Sequence, residues 1–220
     1  MEAFLSALDI TGSPHQQRVI TIATTPAMGA LLMPGLASAL KPTFPQILLH
    51  NIAIVDAARQ LDQRQVDLLI DTHLHSGQAI SHHVLYQDRV QMYCRAGHPA
   101  LDGPQDETTL AEYEFALLLP EGQRYPTLHR RLQEEMGERR CGFSTFNLMT
   151  QAAMIAGSDM LGLTTERLFA MVSRLWPLQT LDFPSLGEEQ IDVALHFNKL
   201  SGKEPLLKEI IETVIRSFKA

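Results

Sequence analysis

The sequence predicts an α/β protein in which two lobes are joined by two crossings of the chain. The order strand, helix, strand, helix, strand between residues 18 and 71 indicates a first parallel sheet. A strand followed by Thr and a helix at residues 160–175 repeats that arrangement and indicates a second lobe. A helix that begins at Pro205 carries one apolar stripe, which needs the free face of a sheet. Since the first lobe has such a face, the chain is expected to return to it.

The first lobe begins with a short apolar strand at residues 19–24. Thr25 and Pro26 then supply an N-cap and a proline at the first helical position. The helix that follows carries apolar side chains at helical spacing: Leu31, Leu32, Leu36, Ala39 and Leu40. The remaining elements of this lobe are a strand at 47–54, a short helix at 57–65 and a strand at 66–71.

The carboxyl ends of these three strands predict a binding crevice. The third strand is apolar on both faces, as parallel strands usually are. Ligands of such units bind outside the carboxyl ends of the strands, beside the N-termini of helices. Residues 24–28, 54–56 and 71–73 are therefore expected to surround one crevice.

The second lobe is predicted from a further series of elements. A long alternating strand at 83–95 follows a polar segment and has the length to run between two lobes. The elements after it are strands at 115–119, 141–143, 160–165 and 191–197, and helices at 128–136, from Ser144-Thr145 to Ala156, at 166–175 and from Pro205. Crossings near 85–92 and 193–198 divide the chain into a linker remnant (1–17), lobe I (18–88 plus 196–220) and lobe II (89–195).

Composition and charge narrow the class of protein. The chain has 220 residues, of which 45% are hydrophobic and 20% charged, as in an ordinary soluble globular protein. No apolar run approaches the ~20 residues of a membrane span, and the acidic N-terminus does not resemble a signal peptide. The net charge of -7 argues against binding of nucleic acid by this chain itself. Cys94 and Cys141 are expected to be reduced thiols in the cytoplasm, although a disulfide between them stays open at this point.

One motif suggests an enzyme. Asp71-Thr72-His73-Leu74-His75 resembles the first metal-binding segment of amidohydrolase barrels, so a metal-dependent hydrolase using His73 and His75 is the alternative function. Such a barrel needs eight βα units and ~250 residues, and too few units follow the motif. The sequence has no Gly-x-Ser-x-Gly elbow, P-loop or Gly-x-Gly-x-x-Gly. We therefore expect binding rather than catalysis, with no catalytic residue, metal or cofactor.

Several stretches resemble the effector-binding domain of LysR-type transcriptional regulators. They are TTPAMGALLMP at 24–34, FPQI at 44–47, QVDLLI at 65–70, LYQD at 85–88, GHPAL at 97–101, the helix at 146–156 before DML at 159–161, and LH at 195–196. Their order and spacing cover residues 18–218. The ending Leu195-His196 is most similar to the nodulation-regulator branch.

The resemblance implies a periplasmic-binding-protein type II-like fold, with two Rossmann-like lobes, two crossover strands and a small-molecule effector between the lobes. It implies a cytoplasmic transcription regulator whose DNA-binding winged helix-turn-helix is missing from this chain, with residues 1–17 as the remnant of a linker helix. RNA polymerase is a further expected partner. A freestanding solute-binding protein is the second alternative, against which the absent signal peptide counts.

The expected effector contacts come from both lobes. They are Thr25, Pro26, Ala27, Met28, Ile54 and Val55 of lobe I, Phe146, Asn147 and Thr164 of lobe II, and His73 and His196 near the hinge. Family positions that match Ala27, Ile54 and Phe146 contact effectors, and the first two are often hydroxylated there. Here these side chains are apolar, whereas exposed helix N-termini favour an anion. An aromatic or amphiphilic acid is the expected effector.

The resemblance also implies an antiparallel homodimer, and a tetramer of the full-length protein. Helix 27–40 of one chain would pair with helix 123–136 of the other. The apolar strand that begins at Ile47 is expected at a sheet edge, where it needs cover. The residues Leu31, Met33, Leu36 and Leu40 suggest a second buried face, so that Leu36→Arg would weaken the dimer more than the fold.

Overall fold

The computed structural model describes residues 18–118, 140–183 and 190–218. The strands in this part of the chain are β1 (Arg18–Thr24), β2 (Ile47–Ala53), β3 (Leu68–Asp71), β4 (Ile80–Arg95), β5 (Phe115–Leu118), β6 (Cys141–Thr145), β7 (Gly162–Thr165), β8 (Leu178–Leu181) and β9 (Gln190–Asn198). The helices are α1 (Pro26–Leu40), α2 (Ala57–Asp62), α3 (Glu107–Ala111), α4 (Leu148–Ala156), α5 (Glu166–Val172) and α6 (Pro205–Ser217). The predicted linker remnant 1–17 and helix 128–136 lie outside the described residues.

The first lobe is built on a sheet with the order β2-β1-β3-β9-β4. Strands β2, β1 and β3 are parallel, and β9 lies antiparallel beside β3. The strand β2 is at the edge of this sheet, as its sequence predicts. The parallel core of the lobe therefore presents the carboxyl ends of three strands at one edge.

Strand β4 belongs to both lobes. Its residues Ile80 to Arg89 pair with β9, and from Val90 onward it pairs with β7 and β8. The change of partner falls inside the crossing predicted near 85–92. Strand β9 is paired with β4 alone until Ala194, where its pairing with β3 begins. The two predicted crossover strands are thus confirmed, and they lie side by side.

The second lobe surrounds the far half of β4. Strands β7 and β8 pair with it in antiparallel fashion, while β5 and β6 form a short parallel pair. A bridge between Phe115 and Leu161 connects β5 to the segment that leads into β7. Helices α4 and α5 pack on this set of strands. The repeat of strand, Thr and helix predicted for this lobe is present at Thr165, where β7 passes directly into α5.

The main apolar core runs through both lobes. In lobe I it contains the inner face of α1 and the predicted stripe of α6, of which Leu207, Ile210, Ile211 and Val214 are buried. In lobe II the same cluster contains Leu148 of α4 and Leu168 of α5. Helix α1 contacts α6, α5 and α4, so it lies where the lobes meet. Among the described residues, no helix has the length and apolar character needed to cross a membrane.

Some predicted boundaries are wrong, and each has a local cause. Helix α2 ends at Asp62 rather than near residue 65, because Arg64 has φ 52° and leaves the helical region. Ser144 and Thr145 belong to strand β6 and do not cap α4; its N-cap is Asn147. Strand β8 and helix α3 were not expected from the sequence.

The expectation for Leu36 is also wrong. Leu36 is only 1% exposed and Leu40 is fully buried, and both belong to the main core of a single chain. Leu31 and Met33 are half-buried against that core. An Arg at position 36 would place an unpaired charge in the core and unfold the lobe, so it cannot report on a dimer.

Two glycines provide a test of how tightly the helices and strands pack. A Cβ at Gly162 would overlap Ile155 Cδ1 and lie 2.9 Å from the ring of Tyr93, whose hydroxyl donates to Gln151 Oε1 at 3.0 Å. Gly162→Ala is therefore expected to cost about 1–3 kcal/mol of unfolding free energy. A Cβ at Gly35 would meet nothing within 4 Å, and Gly35→Ala should stabilise α1 by about 0.5–1 kcal/mol.

Urea unfolding of the two variants beside the parent chain measures both changes. The account requires effects of opposite sign. A Gly162→Ala domain as stable as the Gly35→Ala domain would contradict the packing described for β7.

Candidate functional site

The carboxyl ends of β1, β2 and β3 converge as predicted. In the sheet register Thr24 pairs with Ala53 on one side and with Ile70 on the other. The residues that follow, namely Thr25, Ile54 and Asp71, therefore start three neighbouring segments at the same edge. Helix α1 packs on one face of the sheet and α2 packs on the other.

The N-terminus of α1 is capped by its own sequence. Thr25 Oγ1 accepts a hydrogen bond from Met28 N at 3.3 Å, and Pro26 occupies the first turn without an N–H. Ala27 is half-buried, Pro26 is exposed, and Met28 is only 4% exposed within the main core. Met28 therefore supports the site from behind, while Thr25, Pro26 and Ala27 form its surface.

A polar contact not expected from the sequence joins β2 to the end of β1, beside the start of α1. Asn51 of β2 donates through Nδ2 to Ile22 O and to Thr24 Oγ1, each at 2.9 Å. A Cβ at Gly29 would lie 2.7 Å from Asn51 Oδ1 and 2.8 Å from Thr24 Oγ1. Gly29 thus permits the close approach of helix and strand. The signal in the sequence is the polar pair His50-Asn51 in an otherwise apolar strand.

The segment after β2 forms the neighbouring wall. Ile54 N donates to Thr24 O at 3.3 Å, which ties this segment to the end of β1. The buried side chain of Gln60 on α2 accepts from Val55 N at 3.1 Å and donates to Ala53 O at 3.1 Å. The side chain of Val55 is 76% exposed. Gln60, which the sequence analysis did not single out, therefore holds the wall that presents Ile54 and Val55.

Lobe II supplies a second helix N-terminus. Asn147 Oδ1 accepts from Met149 N at 2.8 Å and from Thr150 N at 3.3 Å, which caps α4. Phe146, directly before the cap, is 57% exposed. Thr164 is buried in β7, and its hydroxyl makes no hydrogen bond within the described part of the chain. Exposed Phe146 is the member of this group that a ligand would meet first.

The two predicted histidines lie on the other side of the first-lobe sheet. His196 neighbours Leu195, which belongs to the main core, so its ring points to the opposite face, towards Leu69 and α2. The ring is fully buried, and its Nε2 accepts the backbone N–H of His75 at 3.1 Å. His73 is exposed, with its ring centroid 4.8 Å from that of His75.

Electrostatics around His196 disfavour its charged form. Burial, first, and then the neighbouring His75 and His82 lower the pKa of His196 to about 4, while Asp71 and the Leu69 carbonyl act in the opposite direction. His75 Nε2 donates to Asp71 Oδ2 at 2.8 Å. In the described residues no set of three or more His, Cys, Asp or Glu is arranged to hold a metal ion. In the motif at 71–75, His75 contacts both Asp71 and His196, while His73 and Leu74 are exposed.

Two lobes bridged by two adjacent strands, with three parallel strands ending at one edge of the first-lobe sheet, define a periplasmic-binding-protein type II-like domain. The family model described as "LysR substrate binding domain" matches residues 13–219. The chain belongs to this family and is the effector-binding domain of a LysR-type transcriptional regulator. The resemblance seen in the sequence motifs is thereby confirmed, and nothing in the comparisons supports the hydrolase alternative.

Similar proteins are found both by sequence and by structure. The uncharacterized HTH-type transcriptional regulator YbeF of Escherichia coli is 44% identical over 218 residues, which cover 99% of this chain and 69% of that protein. A putative transcriptional regulator from Vibrio parahaemolyticus superposes with a TM-score of 0.77 at 15% identity, covering 94% of this chain and 98% of that one. The CrgA regulatory domain of Neisseria meningitidis gives 0.71 at 13%, covering 92% and 100%. The placement in the nodulation-regulator branch stays a prediction.

The cap of α1 can be tested without an effector. Thr25→Ala removes the acceptor for Met28 N–H and is expected to cost about 1 kcal/mol, or about 2–4 °C in Tm. Thr25→Ser keeps the hydroxyl and should stay within a few tenths of a kcal/mol of the parent. Thermal unfolding followed by circular dichroism measures both, and an equal loss for Ser and Ala would show that the hydroxyl does not cap the helix.

Proposed function

We propose that the domain binds a small acid with an apolar body between lobe I (18–88 plus 196–220) and lobe II (89–195). The observation that carries this proposal is that no acidic side chain offsets the positive end of the α1 dipole. This helix has 15 residues, no acidic residue in its first turn and no basic residue in its last. The positive end of its dipole at the crevice thus favours an anion.

The first turn of α1 leaves one backbone donor for that anion. Pro26 has no N–H, Met28 N is bound by the Thr25 hydroxyl, and Gly29 N bonds to Thr25 O. Among the described residues, the remaining first-turn N–H is that of Ala27. A carboxylate at this point would accept from Ala27 N–H and could also meet the hydroxyl of Thr25.

The rest of the crevice surface favours an apolar body. Val55 on lobe I and Phe146 on lobe II are among the most exposed large apolar side chains, and Ala27 and Ile54 beside them lack polar atoms. An aromatic ring or an alkyl chain would bury these side chains, at roughly 25 cal/mol per Å² of apolar surface removed from water. We therefore expect an aromatic or amphiphilic acid, contacted by Thr25, Pro26, Ala27, Ile54, Val55, Phe146 and Asn147.

Regulation follows from the difference between ligand-free and ligand-bound lobe positions. A ligand that contacts both lobes stabilises the arrangement in which both walls reach it. The change in lobe angle would pass to a DNA-binding domain that precedes this domain in the full protein, in the cytoplasm, with RNA polymerase as a further partner. The domain itself carries out no catalysis in this proposal.

A homodimer is proposed through the edge of lobe I. Leu48 and Leu49 on the edge strand β2 are half-buried, and the outward face of α1 carries the small residues Ala30, Pro34 and Ala37. Such a face lets a second helix approach closely. Its proposed partner is the segment 123–136 of the other chain, which lies outside the described residues.

The effector site is tested by a thermal-shift screen of carboxylic acids followed by titration calorimetry. Phe146→Ala should weaken the best ligand on the order of tenfold, because ~1–2 kcal/mol of apolar contact is lost. Leu175→Ala is the matched control, since Leu175 is also an exposed apolar residue of lobe II, at 63% exposure, but follows α5. Equal affinities of the Phe146→Ala and parent domains would refute this site.

The dimer is tested at Ala30, which is exposed within one chain. Ala30→Arg should leave the fold of the lobe intact and shift the chain to monomers at tens of micromolar, the range in which we expect a standard-size interface to hold. Sedimentation velocity measures the assembly state, and circular dichroism checks the fold. A parent chain that sediments as a monomer at this concentration would contradict the proposed dimer.

A further inference from the structure

We propose that His196, His75, His82 and Asp71 form a proton-operated latch that holds the loop 72–79 on the two strands crossing between the lobes. These groups come from four parts of the chain: Asp71 ends β3, His75 lies in the loop, His82 is on β4 and His196 is on β9. The latch is a regulatory device separate from the effector contacts proposed above.

The sheet register places the latch on the crossing strands. His196 pairs with Leu69 on β3 and with His82 on β4, so one row runs across three strands. The ring centroid of His196 lies 5.8 Å from that of His82 and 5.1 Å from that of His75. The loop therefore lies over the row formed by Leu69, His196 and His82, on the three neighbouring strands β3, β9 and β4.

One hydrogen bond of the latch depends directly on a proton. The backbone N–H of His75 donates to Nε2 of the buried His196 ring at 3.1 Å. A protonated imidazole has N–H groups at both nitrogens and cannot accept, so a proton on Nε2 breaks this bond. It would also leave the partly buried N–H of His75 without its acceptor and facing a positive charge, which is unfavourable.

The remaining bonds anchor the two ends of the loop. At its start, Asp71 accepts from Thr72 N and from the His75 ring, each at 2.8 Å. At its end, Lys199 holds the carbonyls of Ala79 and Gln78, through its backbone N and its Nζ, each at 2.8 Å. The middle of the loop is tied down through the His75–His196 contact.

The groups that face His196 decide whether a lower pH stabilises or destabilises the latch. Strand β3 brings Asp71 and the Leu69 carbonyl, the loop brings His75 with His73 behind it, and β4 brings His82. Helix α2 brings the apolar Leu61 to β9, through the bond from Asn198 to Leu61 O at 3.2 Å. The charged residues of that helix, Arg59 and Asp62, are exposed. Asp71 is thus the single anion among these groups.

The sign of the pH dependence follows. Burial and the two neighbouring histidines lower the pKa of His196 to about 4, from the ordinary value of 6.5. Between pH 6.5 and pH 4, the unfolded or released state therefore binds more protons than the latched state does. The latch is fully closed above pH 6.5 and loses stability as the pH falls towards 4. Acid therefore frees the loop that follows the carboxyl end of β3, at the mouth of the crevice.

Hydrogen–deuterium exchange of the whole chain tests the latch. After correction for the intrinsic exchange rate, protection of the segment 72–79 should fall at least tenfold between pH 7 and pH 4.5. His196→Gln keeps an oxygen acceptor for His75 N–H but has no titrating ring, so its protection should be independent of pH. His83→Gln removes a histidine on the opposite face of β4 and should behave as the parent does.

A second variant keeps the test valid if His196→Gln does not fold. His82→Gln removes a charge that lowers the pKa of His196, so the pKa difference between the latched and released states shrinks and protection of 72–79 should fall less than in the parent between pH 7 and pH 4.5. Constant protection of 72–79 down to pH 4.5 in a parent chain that remains folded by circular dichroism would overturn the proposal. A His82→Gln chain whose protection falls as much as that of the parent, or more, would overturn it equally. Neither outcome bears on whether an effector binds at Phe146.

Discussion

The antiparallel pairing of β4 with β9 joins the sheet of lobe I to that of lobe II. It extends from Ile80 opposite Asn198 to Arg89 opposite Gln190, with one irregularity between Val84 and Tyr86. Because both strands pass between the lobes, their ladder of backbone hydrogen bonds prevents one lobe from sliding past the other. A change of lobe angle by twisting about this pair, with the ladder intact, is the movement expected of a hinge.

Side chains near the irregularity connect this hinge to both lobes. Asp88 of β4 accepts from Arg167 N at 3.3 Å, at the start of α5. The Arg167 guanidinium lies 4.0 Å from the centre of the Tyr86 ring, which stacks on Phe218 after α6 with centroids 5.5 Å apart. Burial and the Asp88 carboxylate raise the pKa of Tyr86 to about 12, so its hydroxyl stays neutral. A twist of β4 would therefore displace side chains that contact α5 in lobe II and the end of α6 in lobe I.

Much of the fold could be predicted because its signals are local. The Thr25-Pro26 start of α1 and the stripe of α6 are encoded within a few residues, and so the two-lobed plan followed from them. Strand β8 could not be predicted, since its only partner in the described residues is the end of β4, about 85 positions away. The contacts of Asn51 and the burial of His196 likewise exist only after strands distant in sequence pair. Sequence periodicity carries no information on such pairs.

We propose that one small acid contacts both lobes at the capped N-termini of α1 and α4. Heteronuclear NMR of the isotope-labelled domain, titrated with the best acid from a thermal-shift screen, tests it most directly. The backbone amide of Ala27 in α1 and that of Asn147 before α4 should shift together, with one saturation curve. Shifts confined to one lobe, or centred on the β3–β9 face around His196, would contradict it.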